Sequence, residues 1–381
     1  MREEYGSLSK YKIKPFLDEY AKENNLPMYG TTKIGVIIKR KHLFFETRSK
    51  RKKAKRPLTV RLKHAPKEKT EHVLQELNRY EGLKPVPLFG TERTIIAVIG
   101  DERVIDEHHI SSLPGVEKVM GVLQPYKLVS RETKHEGTLV KVDGVTIGGT
   151  QVIMMAGPCA VETEEQIDEA AKGVKKAGAH ILRGGGFKPR TSPHAFQGLG
   201  RKGVLMLEAA GKKHKIPTVS EVMDVRDVDF MCNHVDILQI GARNMQNFDL
   251  LKEVGKARKP VLLKRGMSAT IKELLLAAEY ILMNGNQDVI LCERGIRTFE
   301  DETRNTLALA TVPLVKELSH LPIIVDPSHG TGRITLIPSM CRAAVAAGAD
   351  GIMLEVHPHP ENAKSDADQA LTFDAFQNIM K

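Results

Sequence analysis

From residue 151 onward the chain repeats one pattern. Short apolar runs fall at 152–156, 179–183, 217–221, 237–240, 261–264, 289–293, 323–326 and 351–355. They are continuous rather than alternating, as strands buried on both faces are. Stretches with apolar residues at helical spacing lie between them, among them 163–176, 270–283 and 303–318, and a short one follows at 373–381. Eight such strand–helix units across 151–381 predict a (β/α)8 TIM barrel, with an open doubly wound sheet as the alternative. Upstream the order differs. Segment 58–62 alternates as a strand does, and 67–80 carries Val73, Leu74 and Leu77 as a helical stripe. Segments 86–89 and 94–99 read as strands, 106–113 as a short helix and 116–123 as a last strand. The order βαββαβ predicts a small ferredoxin-like α+β domain over 58–125. Residues 126–150 are the linker leading into the barrel. The fold class is therefore α/β, a barrel preceded by a small α+β domain.

Composition narrows the setting. A 381-residue chain with 41% hydrophobic and 27% charged residues has the make-up of a folded globular protein. No apolar run reaches the roughly 18 residues of a membrane helix, so no membrane partner is expected. The start, MREEYGSLSKYKIKPF, has no apolar core of a secretory signal. Cys159, Cys232, Cys292 and Cys341 lack CxxC spacing, and a reducing cytoplasmic location is expected. Lys+Arg 57 against Asp+Glu 47 gives +10. Residues 1–56 hold 16 basic and 6 acidic residues, so the whole excess sits there and the remaining chain is balanced. Residues 1–57 thus read as a basic extension, and a nucleic-acid partner does not follow from the overall charge.

Function in a barrel collects where strands end and loops begin. The strand ends carry Arg183, Lys188, Arg190, Arg243, Lys264, Arg265 and Arg294. So many cations at one mouth repel each other unless anions share the site. Arg offers forked donors to phosphate or carboxylate and Lys a point charge. More than one anionic group is expected, carried by one substrate or by two. A second group, Cys159, His329, Glu355 and Asp366, lies on or after strands 1, 7 and 8, neighbours in a closed barrel. A mixed S/N/O set suits a transition metal better than calcium or magnesium. The alternative for each is a small core cysteine or a hydrogen-bonded histidine.

The strings AGPCAVE, LRGGGFKPRTSPHAFQGLG, QIGARNMQN, LLKRG, CERGIRTFE, VDPSHGTGR and EVHPHPENAKSD, in this order, resemble the 3-deoxy-D-arabino-heptulosonate 7-phosphate (DAHP) synthases. The subfamily resembled carries an N-terminal ferredoxin-like regulatory domain, and the likeness covers about residues 58–381. It implies condensation of phosphoenolpyruvate with erythrose 4-phosphate and water to DAHP and phosphate, opening the shikimate pathway to the aromatic amino acids. It implies one divalent metal ion (manganese, iron, cobalt, zinc or similar) on Cys159, His329, Glu355 and Asp366. It further implies Arg183, Lys188, Arg243, Lys264 and Arg294 on phosphoenolpyruvate, and Arg190 and Thr191 on the sugar phosphate. Asp326 joins the substrate-binding set. Lys188, Glu221, Cys159 and His329 are the expected catalytic residues, with Glu221 near the water that adds. Tyr or Phe as feedback inhibitor and a homotetramer are implied as well.

Two other readings stand beside this one. A 3-deoxy-D-manno-octulosonate 8-phosphate (KDO8P) synthase would pair phosphoenolpyruvate with arabinose 5-phosphate, but the KPRTS string and the N-terminal domain speak for DAHP. A DNA-binding protein would use residues 1–56, whose turn–helix portion faintly resembles the helix-turn-helix of insertion-element integrases. The ferredoxin-like domain is expected to pack over the barrel mouth, where a bound effector would close it.

Overall fold

The computed structural model describes residues 58–63, 67–89, 93–100, 104–121 and 126–381. The basic extension and its helix-turn-helix reading lie outside them. Ahead of the barrel come β1 (Leu58–Lys63), β2 (Lys84–Phe89), β3 (Arg93–Ile99), β4 (Val116–Gly121), β5 (Val140–Val142) and β6 (Val145–Ile147). The eight apolar runs then become β7 (Ile153–Gly157), β8 (Ile181–Arg183), β9 (Thr218–Glu221), β10 (Ile237–Ile240), β11 (Val261–Lys264), β12 (Val289–Glu293), β13 (Ile323–Val325) and β14 (Gly351–Glu355). All pair in parallel, and β14 returns to β7 from Gly351↔Ile153 to Glu355↔Gly157, which closes the barrel.

Alternation along each strand divides its side chains between two cores. Ile153, Met155, Ile181, Ile237, Leu262, Ile290 and Ile324 fill the lumen. Met154, Leu182, Leu238, Leu263, Leu291 and Ile352 face the surrounding helices. A hairpin of β5 and β6 adds Val140, Val142 and Ile147 to the lumen core. The linker reading of 126–150 overlooked it, although the signal is present. Asp143 and Gly144 both take positive φ, 42° and 82°, as the central pair of a tight hairpin turn does.

Helix ends follow local chemistry. Thr270 caps the helix Ile271–Met283 in a reciprocal box with Glu273. The expected helix over 303–318 is shorter, Thr311–Leu318. Pro313 is the reason. It has no N–H and is tolerated only in a first turn, so the helix begins two residues before it. Residues 303–310 instead form a loop over the strand ends, with Thr306 bridged to Ile296.

In the ferredoxin-like domain the sheet order is β2-β3-β1-β4, with antiparallel pairing throughout. One face packs Leu58, Val60, Leu62, Ile96 and Val98 against Val73, Leu77 and Ile110 of its helices. On the other face Leu88 and Ala97 join the barrel's outer core. Lys84 Nζ donates to the carbonyl of Met283 at 2.6 Å, and Lys127 Nζ to that of Val98 at 2.7 Å. Met283 ends a helix that descends from the mouth side, so these contacts lie at the far end of the barrel wall. Within the chain the domain docks there and not over the mouth, contrary to the expectation above. The reason is the apolar second face of its sheet, which needs an apolar wall, whereas the mouth is charged.

The linker after this domain is clamped by two buried titratable groups. Glu279 accepts from the backbone N–H groups of Lys127, Leu128 and Val129 at 2.9, 2.9 and 3.0 Å. His320 sits with Nε2 at 2.6 Å from the carbonyl of Leu128 and Nδ1 at 2.8 Å from Thr138 Oγ1. Nε2 therefore carries the hydrogen and Nδ1 accepts. Burial pulls the imidazole down to about 4, since its charged form would be desolvated beside Lys134 and Arg131. The unfolded chain, with an ordinary histidine near 6.5, binds this proton first. Stability is full above that value and is lost as pH falls from about 6.5 toward 4. Between pH 7 and pH 5 the loss from this one group is about 2 kcal/mol. Thermal unfolding should therefore fall more steeply over that interval in the wild type than in His320→Gln, and equal slopes would show that this imidazole is not the group responsible.

Candidate active site

The strand ends deliver their polar residues to one cleft. It is lined by Arg183 of β8, Lys188 and Arg190 after it, Glu221 of β9, Gln239, Gly241 and Arg243 at β10, Lys264 of β11, Arg294 after β12, and His329 and Asp366. Arg297, also after β12, and Arg304 and Asn305, from the loop over the strand ends, complete the wall. Eight cations thus face two carboxylates, Glu221 and Asp366. Arg243 and Arg297 find no carboxylate partner among the described residues. A cleft of this balance binds anions.

Beneath the surface the charges alternate. Arg183 donates to the Pro158 carbonyl at 3.0 Å and to Glu355 Oε1 at 2.8 Å. His329 Nε2 lies 3.3 Å from the same Glu355 oxygen. His329 Nδ1 is 2.7 Å from Asp326 Oδ2, which also accepts from Lys264 Nζ at 2.5 Å. Burial works to raise the Asp326 carboxyl, but His329 and Lys264 hold it well below the usual range. Asp326 was expected to touch substrate. It is fully buried under the cleft and spent on Lys264 and His329, so it orients the residues that line the site. Arg265 departs from expectation too. Successive strand residues point to opposite faces. With Lys264 in the cleft, Arg265 turns outward to Glu293 at 2.7 Å and to Thr311 at 3.0 Å.

Cys159, Glu355 and Asp366 bring one ligand atom each within 4.8 Å of one another, and His329 touches Glu355. Cys159 Sγ lies 2.9 Å from Asp366 Oδ2 and 3.0 Å from Ser365 Oγ. Burial first, and the Glu355 carboxylate next, push the thiol up to about 12, so it stays protonated unless a cation displaces the hydrogen. A thiol, an imidazole and two carboxylates gathered in one place form a donor set that fits a divalent transition ion. Two residues that the sequence reading did not single out support this group. Arg304 donates to Asp366 at 3.1 Å and to Gln369 Oε1 at 2.6 Å, and Gln369 donates to Glu355 Oε2 at 2.5 Å.

Lys188 reaches the Cys159 carbonyl at 3.2 Å, and burial of the ammonium is outweighed by nearby negative groups that keep it charged. Arg190 is held by the Phe196 carbonyl and by Ser365. Thr191 beside it is exposed and outside the cleft lining. Glu221 Oε2 accepts from Gln239 at 3.3 Å, while its Oε1 is buried with no partner. An unpartnered buried carboxylate oxygen is costly and marks the place of a donor such as a water. Arg183 Nε is buried and unpartnered in the same way.

Residues 129–381 match the family model described as DAHP synthetase I family. The chain belongs to the DAHP synthetase I family. Residues 60–124 match the DAHP synthase ferredoxin-like domain. A phospho-2-dehydro-3-deoxyheptonate aldolase of Thermotoga maritima is 50% identical over 292 residues, 77% of this chain and 86% of that protein. A crystal structure of DAHP synthase from the same organism superposes with a TM-score of 0.67 at 47% identity, covering 85% of this chain and 95% of that one. A 2-dehydro-3-deoxyphosphooctonate aldolase of Koribacter versatilis is more distant, 31% identical over 63% of this chain and 92% of its own length. These distances favour DAHP synthesis from phosphoenolpyruvate and erythrose 4-phosphate over the octulosonate reading, as the motifs led us to expect.

For this DAHP synthase family member, Gly241 is a test of the Glu221 placement. A Cβ there would meet Glu221 Oε1 at 2.1 Å, yet its φ of −68° suits any residue. Gly241→Ala should fold normally and displace the carboxylate, lowering kcat/KM for DAHP formation by on the order of a hundredfold. An alanine variant with unchanged kinetics would remove Glu221 from the reaction.

Proposed function

We propose that the cleft performs DAHP synthesis with its cations divided between two anions and a divalent ion held by Cys159, His329, Glu355 and Asp366. The observation that carries this is the eight-to-two excess of cations around an unpartnered carboxylate oxygen, beside the cluster of Cys159, Glu355 and Asp366 with His329 at 3.3 Å from Glu355. Arg183, Lys188, Arg243, Lys264 and Arg294 hold the phosphate and carboxylate of phosphoenolpyruvate. Arg190 holds the phosphate of erythrose 4-phosphate. When bound, the ion supplies Lewis-acid polarisation of the aldehyde.

The chain's own residues then do the following. The cations overcome the repulsion between two anionic substrates and set C3 of phosphoenolpyruvate against the aldehyde carbon. The π pair between C2 and C3 forms the new C–C bond, the aldehyde π bond breaks toward its oxygen, which takes a proton from solvent, and positive character develops at C2. Glu221 Oε1 accepts a hydrogen from the water that adds to C2, with Lys188 orienting it. The hemiketal phosphate so formed loses phosphate by C–O cleavage. Arg183 and Arg294 stabilise charge on the departing group.

The same reading takes the ferredoxin-like domain as the seat of feedback inhibition by Tyr or Phe. It takes the working form as a cytoplasmic homotetramer. The match of residues 60–124 to the DAHP synthase ferredoxin-like domain supports the inhibition reading. Among the described residues no helix is long and apolar enough to cross a membrane.

Two measurements test the assignment. Chelation should abolish turnover and a divalent transition ion should restore it, with erythrose 4-phosphate used far better than arabinose 5-phosphate. Full turnover by metal-free protein would refute the ion. Arg190→Ala should raise KM for erythrose 4-phosphate ten- to a hundredfold, on the order of one charge-assisted contact, and leave that for phosphoenolpyruvate nearly unchanged. An equal rise for both substrates would place Arg190 on the other anion.

A further inference from the structure

One buried hydroxyl lies between the two halves of the site. Ser365 is only 4% exposed. Its Oγ accepts from Arg190 Nη2, lies 3.0 Å from Cys159 Sγ and 3.4 Å from Asp366 Oδ2. The residue assigned to the sugar phosphate thus touches, through one oxygen, two of the residues assigned to the ion. The remainder of the Arg190 fork is fixed by a single bond, from Nε to the Phe196 carbonyl at 3.1 Å.

A hydroxyl has one hydrogen and two lone pairs. Arg190 occupies a lone pair, so the hydrogen must go to Cys159 or Asp366. As the structure stands, the thiol hydrogen points to Asp366 Oδ2. The Asp366 oxygen therefore already has a donor, and the sulfur is a poor acceptor. A cation held by Cys159, His329, Glu355 and Asp366 would displace that thiol hydrogen to solvent. The sulfur then turns from donor to strong acceptor, and the Ser365 hydrogen turns to it. A hydroxyl that donates to a charged acceptor is itself a better acceptor. Its hold on Arg190 tightens, and the guanidinium is fixed with its free N–H groups toward the cleft.

We infer that Ser365 is a positioning residue that couples cation binding to sugar-phosphate binding, through the chain Cys159–Ser365–Arg190. The inference rests on the assignment of the ion and of Arg190 given above. Coupling of this kind is reciprocal, so erythrose 4-phosphate tightens the cation by the factor by which the cation tightens the sugar phosphate. Direct attraction between cation and phosphate contributes to the same factor. The part owed to Ser365 is what disappears with its hydroxyl.

The experiment uses the full chain without phosphoenolpyruvate, so that no turnover occurs. Cobalt(II) is titrated with and without erythrose 4-phosphate, and binding is read from the thiolate-to-cobalt absorption. Ser365→Ala should cut the ratio of the two dissociation constants by roughly three- to tenfold, the size of one hydrogen bond. Ser365→Thr, which keeps a hydroxyl, should restore most of it. The corresponding ratio with phosphoenolpyruvate in place of the sugar phosphate should not change. Ser365→Gly is a second hydroxyl-free variant if the alanine form folds poorly. An unchanged ratio in the hydroxyl-free variant overturns the inference, even if both ligands bind more weakly, because that pattern is a structural defect alone. A wild type that binds cobalt without any such absorption, or fails to bind it, overturns the ion assignment itself.

Discussion

The site depends on a buried line of charged and hydrogen-bonding groups. Lys264, Asp326, His329, Glu355 and Arg183 follow one another at hydrogen-bond distance across the ends of β11, β13, β14 and β8. Each of these groups alone would be too expensive to bury, and each is stable because its neighbour carries the opposite sign or donates a hydrogen. Positions around the barrel are set by strand pairing, so the line exists only if the barrel closes in this register. The short segment Pro327–Thr331 matters for the same reason. Its cap, Asp326, accepts from the backbone of His329 with one oxygen and orients the imidazole with the other. One side chain thereby fixes both a ring and an ammonium.

Above this line the balance breaks. The cleft keeps cations that the protein leaves without a carboxylate, Arg243 and Arg297 among them, and the substrates complete the charge. Two parts of the cleft then hold different chemistry. Glu221 is fixed on β9 by Gln239 from the neighbouring strand, and its second oxygen is buried and unpartnered. Cys159, Glu355 and Asp366 gather around the ends of β7 and β14, buttressed by Arg304 and Gln369. A reaction that brings a nucleophilic carbon to an aldehyde and then a water to the adjacent carbon needs two such groups. The polarising group must face one reactant, and the proton acceptor the other.

The ferredoxin-like domain and the cleft meet the same helix at opposite ends. Helix Ile271–Met283 begins a few residues after Lys264 and ends at the carbonyl taken by Lys84. Glu279 in its last turns fixes the linker backbone. A change in how the domain sits on the barrel wall would therefore reach the cleft within the chain only by moving this helix as a unit. Its two buried faces oppose that movement.

The barrel was legible because burial on both faces leaves unbroken apolar runs, and strand ends carry the polar residues. The ferredoxin-like order was legible from the change of period between its segments. The hairpin at 140–147 was missed although Asp143-Gly144 announced it, because three-residue strands are too short to show alternation. The helix at 303–318 was drawn too long because its apolar spacing continues upstream, and Pro313 was the stronger signal. Within the cleft most of the strand-end residues line the wall as their positions implied, and the ones that hold them were not read. Arg304 and Gln369 lie on irregular segments whose spacing follows no period, and Asp326 looked like a ligand for substrate because its strand end resembles the others. Sequence places a residue at the mouth, but only the packed neighbours decide whether it faces the cleft or is consumed beneath it, as Lys264 and Arg265 show side by side.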